Sequence, residues 1–261
     1  MDKLISVIMP CYNEEKTIKA AIYSILEQTY PGFELIVVDD CSTDESGRII
    51  KGIAEKDERL RYIKNNHNSG VAVSLNNGIR NATGKYIARM DSDDICERSR
   101  FEKQIEYLEN NPDCILCASL ADVDNGQEKR VQGNIDFDIT KALVRNNPIV
   151  HSSVMFPRII NGRVIFYPET KGFEDYGLWI KLVSLGKFHV IPEVLVHRFD
   201  YNNRETKKTW EGFTKQKVYK KLLHYQFNAA RATGHWVLGM RYCSITAMKI
   251  LYSYFDATFT R

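Results

Sequence analysis

The sequence of 261 residues contains no run of the ~18 uncharged apolar residues that a membrane-spanning helix needs, and the apolar stretch after Met1-Asp2-Lys3 ends at Pro10. Neither a transmembrane segment nor a secretory leader is expected. Cysteine is scarce and scattered, at positions 11, 41, 96, 114, 117 and 243. The one close pair, Cys114 and Cys117, has no second Cys or His pair at zinc-ligand spacing, so reduced thiols of a cytoplasmic protein are expected. Gly-x-Gly-x-x-Gly and Gly-Lys-Ser/Thr are both missing, which leaves a dinucleotide cofactor and a Walker-type phosphate cradle without support. No Gly-Asp pair occurs either, and this disfavours a phosphatase that forms an aspartyl-phosphate and binds metal through a later Gly-Asp. There is no internal repeat and no low-complexity segment. With 44% hydrophobic and 26% charged residues the chain can bury a sizeable core, which argues against disorder.

A net charge of +3 conceals an uneven distribution. Residues 204–261 carry 11 Lys/Arg against three acids, whereas residues 1–203 carry 25 against 30. An acidic body with a basic tail suggests a cation-using domain joined to a segment that approaches anions.

The first half alternates strand and helix signals. Leu4 to Met9, Phe33 to Val38, Leu60 to Ile63 and Lys85 to Met90 are short apolar runs of the kind buried in parallel sheets. Between them, Ile18, Ile22, Ile25 and Leu26 form one helical stripe behind a candidate cap at Asn13. Ser42 and Glu45 form a capping box for a second helix carrying Ile49, Ile50 and Ile53, and Gly70 to Arg80 is a third helix. This pattern predicts an α/β, doubly wound, mostly parallel sheet flanked by helices. Further helices are expected over Arg98 to Asn110 and over Asp175 to Leu185, the latter capped by Gly186. Ile115 to Leu120, Ser152 to Phe156 and Lys187 to Val196 are further expected strands, Asp122 to Arg130 a polar turn, and 204–261 a helical extension.

Acids collect where the expected strands end: Asp39 and Asp40 after the second, and Asp91, Asp93 and Asp94 after the fourth. The crevice of an open parallel sheet lies at the carboxyl ends of its strands, so these groups should converge. Asp-x-Asp can hold a hard divalent ion that keeps positions free for phosphate oxygens, although Asp is also common in turns.

Four blocks together resemble a known family. They are Val7-Ile8-Met9-Pro10-Cys11-Tyr12-Asn13-Glu14, Val37-Val38-Asp39-Asp40-Cys41-Ser42-Thr43-Asp44, Ile87-Ala88-Arg89-Met90-Asp91-Ser92-Asp93-Asp94-Ile95 and Gly172-Phe173-Glu174-Asp175-Tyr176-Gly177-Leu178-Trp179. In order and spacing they are similar to the signature blocks of family 2 inverting glycosyltransferases with the GT-A fold. The resemblance implies transfer of a sugar from a nucleotide-sugar donor, usually a UDP-sugar, to an acceptor hydroxyl, with Mn²⁺ or Mg²⁺ as cofactor. It divides residues 1–203 into a nucleotide-sugar-binding half (1–95) and an acceptor-side half (96–203). Pro10 and Tyr12 would line the nucleobase pocket, Asp39 and Asp40 would accept from base or ribose, and Asp91 would contact ribose or sugar. Asp93, with Asp91, would hold the metal; Asp175 would be the general base, positioned with Glu174; and His151 would lie on the acceptor side.

The sequence departs from the family at two places. Leu75 stands where many relatives have an arginine, and the usual late Tyr-Arg-x-His appears as His197-Arg198-Phe199-Asp200, which leaves contact of this segment with metal or diphosphate open. The basic tail, with Trp210, Phe213, Tyr225 and Trp236 among its charges, suits an anionic lipid surface at the inner face of a membrane or a glycan or lipid-linked acceptor. The acidic body disfavours nucleic acid. Synthesis of a bacterial surface polysaccharide or related glycan is the expected role. The alternative is a non-catalytic nucleotide-sugar or glycan binding module on the same fold.

Overall fold

Ile5–Cys11 (β1) and Phe33–Asp39 (β2) are buried along their whole length. Alternate residues enter different cores: Ile5, Val7, Met9, Leu35 and Val37 on one face, Ile8, Ile36 and Val38 on the other. The computed structural model describes residues 4–124, 129–132, 139–145, 147–170, 172–199 and 215–259. Helices α1 (Ile18–Leu26) and α2 (Ser46–Ala54) cover the first face, and α3 (Val71–Arg80) covers the second. With β3 (Leu60–Lys64) and β4 (Tyr86–Arg89), the strands form a parallel unit in the order β3-β2-β1-β4.

The chain continues through β5 (Ile95–Cys96), α4 (Arg100–Asn110), β6 (Cys114–Asp124), β7 (Lys129–Gln132), α5 (Ile139–Arg145) and a single 3-10 turn at His151–Ser153. After β8 (Met155–Pro157) come a two-stranded ladder of β9 (Ile159–Ile160) and β10 (Arg163–Val164), then α6 (Glu174–Leu182) and β11 (Lys187–Phe199). The sheet extends from β4 through β8, β6 and β11 to β5, with β7 paired to β6. β11 runs parallel to β6, whereas β8, β5 and β7 are antiparallel to their neighbours. The expected mostly parallel, helix-flanked sheet is therefore present, with antiparallel strands confined to its second half.

Two buried polar residues join the halves. Arg100, fully buried, donates through Nη2 to the carbonyls of Arg89 (3.0 Å) and Val154 (3.2 Å) and through Nε to Gln104 Oε1 (3.0 Å). Gln104 Nε2 in turn donates to the carbonyls of Cys117 (2.9 Å) and Ser153 (2.8 Å).

The structure corrects several local expectations. Asn13 does not cap α1, whose preceding residue is Thr17. It adopts a left-handed φ of 55° and spans two loops, its Oδ1 accepting from Thr43 N (2.8 Å) while its own N–H donates to Ser42 Oγ (3.0 Å). Ser42 is thereby used across the loops, so the Ser42–Glu45 box does not form and α2 starts at Ser46. α6 ends at Leu182, short of the expected Leu185, and Gly186 has another purpose: a Cβ there would lie 2.7 Å from the carbonyl oxygen of Asp113. Of the expected polar turn, Asp122 to Asp124 belong to β6, and 125–128 lie outside the described residues.

The tail forms two helices, α7 (Lys215–Thr233) and α8 (Trp236–Phe259); residues 204–214, with Trp210 and Phe213, lie outside the described residues, as does Asp200. The described part of the extension packs on the body. Ala229 and Ala230 belong to the second-face core, and the Tyr225 ring stacks on Phe173 (5.3 Å) and Tyr176 (5.4 Å). No helix among the described residues is long and apolar enough to cross a membrane.

Candidate active site

The parallel strands β1, β2 and β4 end at one edge of the sheet, and the loops that follow enclose a crevice. Pro10 and Tyr12, Asp40, Gly70 and Val71 at the start of α3, and Asp91 with Asp93 line one open cavity there. Its rim is tightly tied. Asp40 accepts at Oδ1 from Asn65 Nδ2 (2.8 Å) and Ser69 N (2.9 Å), and at Oδ2 from Gly70 N (2.7 Å), so it also anchors the entry to α3. Gly70 sits at φ 88°, a conformation side chains rarely adopt.

Asp39 is placed differently from the sequence-based expectation. It is fully buried outside the cavity lining, and its two oxygens accept from Ser42 N (2.7 Å) and Tyr62 Oη (2.6 Å). The adjacent acids thus divide: Asp40 faces the crevice and Asp39 braces the loop behind it. Leu75 is also turned away, packed with Ile8, Ile36 and Ile79 in the core, while Ser74 lines the cavity.

Asp91, Asp93 and Asp94 each offer a carboxylate oxygen within 4.8 Å of the others. An all-carboxylate set of this size suits a hard, oxygen-seeking cation, and it adds Asp94 to the two ligands expected from sequence. Burial first, then the charges of neighbouring acids, raises the pKa of Asp93 and of Asp94. Two arginines offset part of this repulsion: Arg89 is ion-paired with Asp91, and Arg198 Nε lies 3.6 Å from Asp94 Oδ2. Arg198, rather than His197, is therefore the residue of the late segment that reaches the acidic turn. His197 is held between Asp122 (2.9 Å) and Glu97 (2.6 Å).

Glu174 and Asp175 open α6 behind Phe173, which is left-handed at φ 65°. Burial raises both carboxyls, and it lifts Glu174 to about 7, with the Asp175 charge as the next cause. Asp175 Oδ2 accepts from Asn147 Nδ2 (2.5 Å) and Oδ1 from the N–H of Tyr176 (2.7 Å). His151 Nε2 shares a hydrogen bond with Tyr167 Oη (3.0 Å), its ring lies 5.9 Å from Trp179, and burial pushes its pKa down, so the imidazole is neutral. The positive charge of Arg89 works against the rise at Asp93, Glu174 and Asp175 and adds to the fall at His151. Sequence reasoning did not single out Arg89; the available signal was a charged residue closing an otherwise apolar strand. Asn147, Tyr167 and Trp179 carried no comparable signal.

The family model for glycosyl transferase family 2 matches residues 6–161. The chain belongs to that family. Among relatives of this family 2 enzyme is the "putative teichuronic acid biosynthesis glycosyltransferase TuaG" of Bacillus subtilis, 30% identical over 233 residues and covering 87% of this chain and 91% of the relative. Among solved structures, Staphylococcus aureus TarS (residues 1–349, with UDP-GlcNAc) superimposes with a TM-score of 0.71 at 20% identity, covering 97% of this chain and 73% of that one. The mannosyltransferase PcManGT of Pyrobaculum calidifontis, with GDP-Man and Mn²⁺, gives 0.66 at 18%, covering 97% and 88%. The likeness establishes the GT-A fold for this family 2 glycosyltransferase.

Proposed function

We propose that this glycosyltransferase moves a sugar from a UDP-sugar to an acceptor hydroxyl with inversion, in the assembly of a surface polysaccharide or related glycan. The observation that carries this reading is the presence of two acid sets, the Asp91, Asp93 and Asp94 cluster at the crevice and Glu174 with Asp175 at the start of α6. Asp91, Asp93 and Asp94 form the leaving-group side, and Glu174 and Asp175 form the base side. Inversion needs a base on the face opposite the departing diphosphate. Asp175, oriented by Asn147, takes the acceptor's proton, and Glu174 holds charge beside it. Pro10 and Tyr12 receive the base, with Asp40 accepting from base or ribose. The acidic turn would hold Mn²⁺ or Mg²⁺, which supplies positive charge against the growing charge of the diphosphate. The name of TuaG supports the polysaccharide context, the UDP-GlcNAc bound to TarS supports the UDP-sugar donor, and the Mn²⁺ in PcManGT supports the metal. With both acid sets in place, no observation favours the binding-module alternative.

The tail is the part of the reading that concerns location. Phe227 (53% exposed), Trp236, Val237 (80%), Met240 and Met248 are exposed along α7 and α8, with Arg231, Arg241 and Lys249 on the same helices. Apolar side chains beside cations suit an anionic lipid surface carrying a lipid-linked acceptor.

The test is incubation of purified protein with UDP-GlcNAc, UDP-glucose and UDP-galactose, with Mn²⁺ or with chelator. Slow metal-dependent release of UDP from one of them is expected, since water can replace the acceptor. No release and no UDP binding with either metal would overturn the reading. Sedimentation with anionic vesicles at low salt, lost as salt rises, tests the tail. Equal binding to neutral vesicles, or none to anionic ones, would remove the membrane contact.

A further inference from the structure

Adjacent residues of a helix point about 100° apart, so two neighbours can reach two different partners. In α7, Tyr225 reaches α6 and Gln226 reaches α5. The Tyr225 ring stacks on Phe173 (5.3 Å) and Tyr176 (5.4 Å), the residues on either side of Glu174 and Asp175, and its Oη lies 3.4 Å from Thr170 Oγ1. Gly177 makes room for it: a Cβ there would come within 3.2 Å of Tyr225 Cε1. Gln226, 3% exposed, donates through Nε2 to the carbonyl of Arg145 at the end of α5 (3.0 Å) and accepts at Oε1 from Thr246 of α8 (2.7 Å). One turn further along, Ala229 and Ala230 are buried and small enough for α7 to approach closely.

The two segments gripped in this way are those that place Asp175. Its Oδ2 accepts from Asn147, two residues beyond Arg145, and its Oδ1 accepts from the N–H of Tyr176, whose ring Tyr225 covers. Tyr176 Oη closes the circuit by donating to the Leu143 carbonyl in α5. Phe173, the residue before α6, is left-handed at φ 65° without being glycine, a conformation that persists only where the surroundings enforce it. The Tyr225 ring lies against it, with 24° between the two planes.

Resting on the sugar-transfer reading, we infer that Tyr225 and Gln226 are positioning residues that hold the carboxylate of Asp175 in place for the acceptor, which makes the basic tail part of the catalytic unit. Tyr225 fixes the first turn of α6 and Gln226 fixes the end of α5, so a slip at either moves Asp175 or its Asn147 partner. Misplacing a reacting group by about 1 Å from a distance can cost on the order of 10²-fold in rate. Neither residue lines the nucleotide crevice, so donor affinity stays independent of them.

Tyr225→Leu removes the stack, Tyr225→Phe keeps it, and Gln226→Met removes the bond to Arg145 at similar size. Each variant is measured for hydrolysis of UDP-GlcNAc, UDP-glucose and UDP-galactose with Mn²⁺, for UDP affinity by calorimetric titration, and for melting temperature, with rates taken well below melting. In Tyr225→Leu and Gln226→Met, kcat should fall about ten- to a hundredfold with UDP affinity within about twofold of wild type, and Tyr225→Phe should recover to within about threefold. Either of the first two suffices should the other fail to fold. A mere support of the fold would lower the melting temperature and leave kcat of the folded enzyme unchanged. The decisive readout is the double-mutant cycle with Asp175→Asn: once the base is gone, Tyr225→Leu or Gln226→Met should cost little more, because each acts through Asp175. Fully additive losses, a wild-type kcat in both variants, or a parallel loss of UDP affinity overturns the inference while leaving the sugar-transfer reading intact. Wild-type protein that neither binds UDP nor hydrolyses any of the three sugars, or Asp175→Asn at the wild-type rate, overturns the reading of Asp175 as well.

Discussion

The two sides of the crevice are built in opposite ways. On the proposed nucleotide side the loop groups are tied: Asp39 accepts from Ser42 N and Tyr62, Asp40 from Asn65 and Ser69 N, and Asn13 bonds Ser42 and Thr43. On the proposed base side Glu174 and Trp179 keep buried atoms unpaired, and burial holds the carboxyls of Glu174 and Asp175 at raised pKa values. One side is held by a net of hydrogen bonds. The other keeps carboxyls whose charge burial opposes. Preorganisation suits a component shared by all UDP-sugars, and unpaired groups suit the part that must discriminate.

The sharpest test of this contrast is Asp175→Asn. Asparagine keeps the size and a hydrogen bond but takes no proton, so transfer, or hydrolysis of UDP-GlcNAc where water replaces the acceptor, should fall on the order of 10² to 10⁴-fold. UDP affinity should stay near wild type in calorimetric titration. A parallel collapse of UDP affinity would show that the two sides are one unit. Asp93→Ala is the converse: it should weaken Mn²⁺-dependent UDP binding by about tenfold or more, the worth of one charge-assisted contact, without lowering the melting temperature. Equal affinity in the variant would remove Asp93 from the metal site.

Proton dependence should follow the base side. With Glu174 at about 7, kcat/KM for the donor should drop as pH falls through that value, because Glu174 then loses its charge. The same shift opposes stability in the other direction. The folded state holds this proton more tightly than the unfolded chain does, so stability declines as pH rises from the ordinary carboxylate value towards about 7. Glu174→Gln should flatten both trends, and a kcat/KM profile unchanged in the variant would assign the acid limb elsewhere. The smallest effect on catalysis is expected from Asp39→Asn. It disturbs the bonds to Ser42 and Tyr62, which should cost about 1–3 kcal/mol in urea unfolding, while the KM for the donor stays within a few-fold of wild type. A large change in KM with unaltered stability would return Asp39 to the nucleotide site.

Strands and acidic ends were legible because a strand covered on both faces must be almost wholly apolar, and β1 and β2 each run buried from end to end. An Asp interrupting such a run marks the edge of the sheet. Helix starts were less legible. Asn13 and Ser42 have the chemistry of caps, and local spacing cannot reveal that their partners lie across two loops. The two-residue β5, the two-residue strands of the β9–β10 ladder and α5 escaped notice because each is too short to display a period. The proposal of a base at Asp175 rests on resemblance, with the position at a helix start being one that any carboxylate favours. The state of Arg89 and Trp179 has no sequence correlate, since whether a polar atom is paired depends on the whole fold.

The pairing of β5 with β11 has a consequence for the order in which the enzyme is made. β5 follows the acidic turn directly, and its sheet partner is the last strand: Cys96 pairs with Val196, Ile95 with His197, and Glu97 N donates to the carbonyl of Leu195 (3.0 Å). Arg198 reaches Asp94 from that same strand. During synthesis, β1 to β4 can leave the ribosome and assemble as a parallel unit long before β11 exists. The turn bearing Asp91, Asp93 and Asp94 is then fastened at its β4 end and lacks its β11 partner at the other. The acidic turn is therefore clamped at its far end by the strand that comes last in the sheet's chain order, so its geometry depends on residues about a hundred positions away.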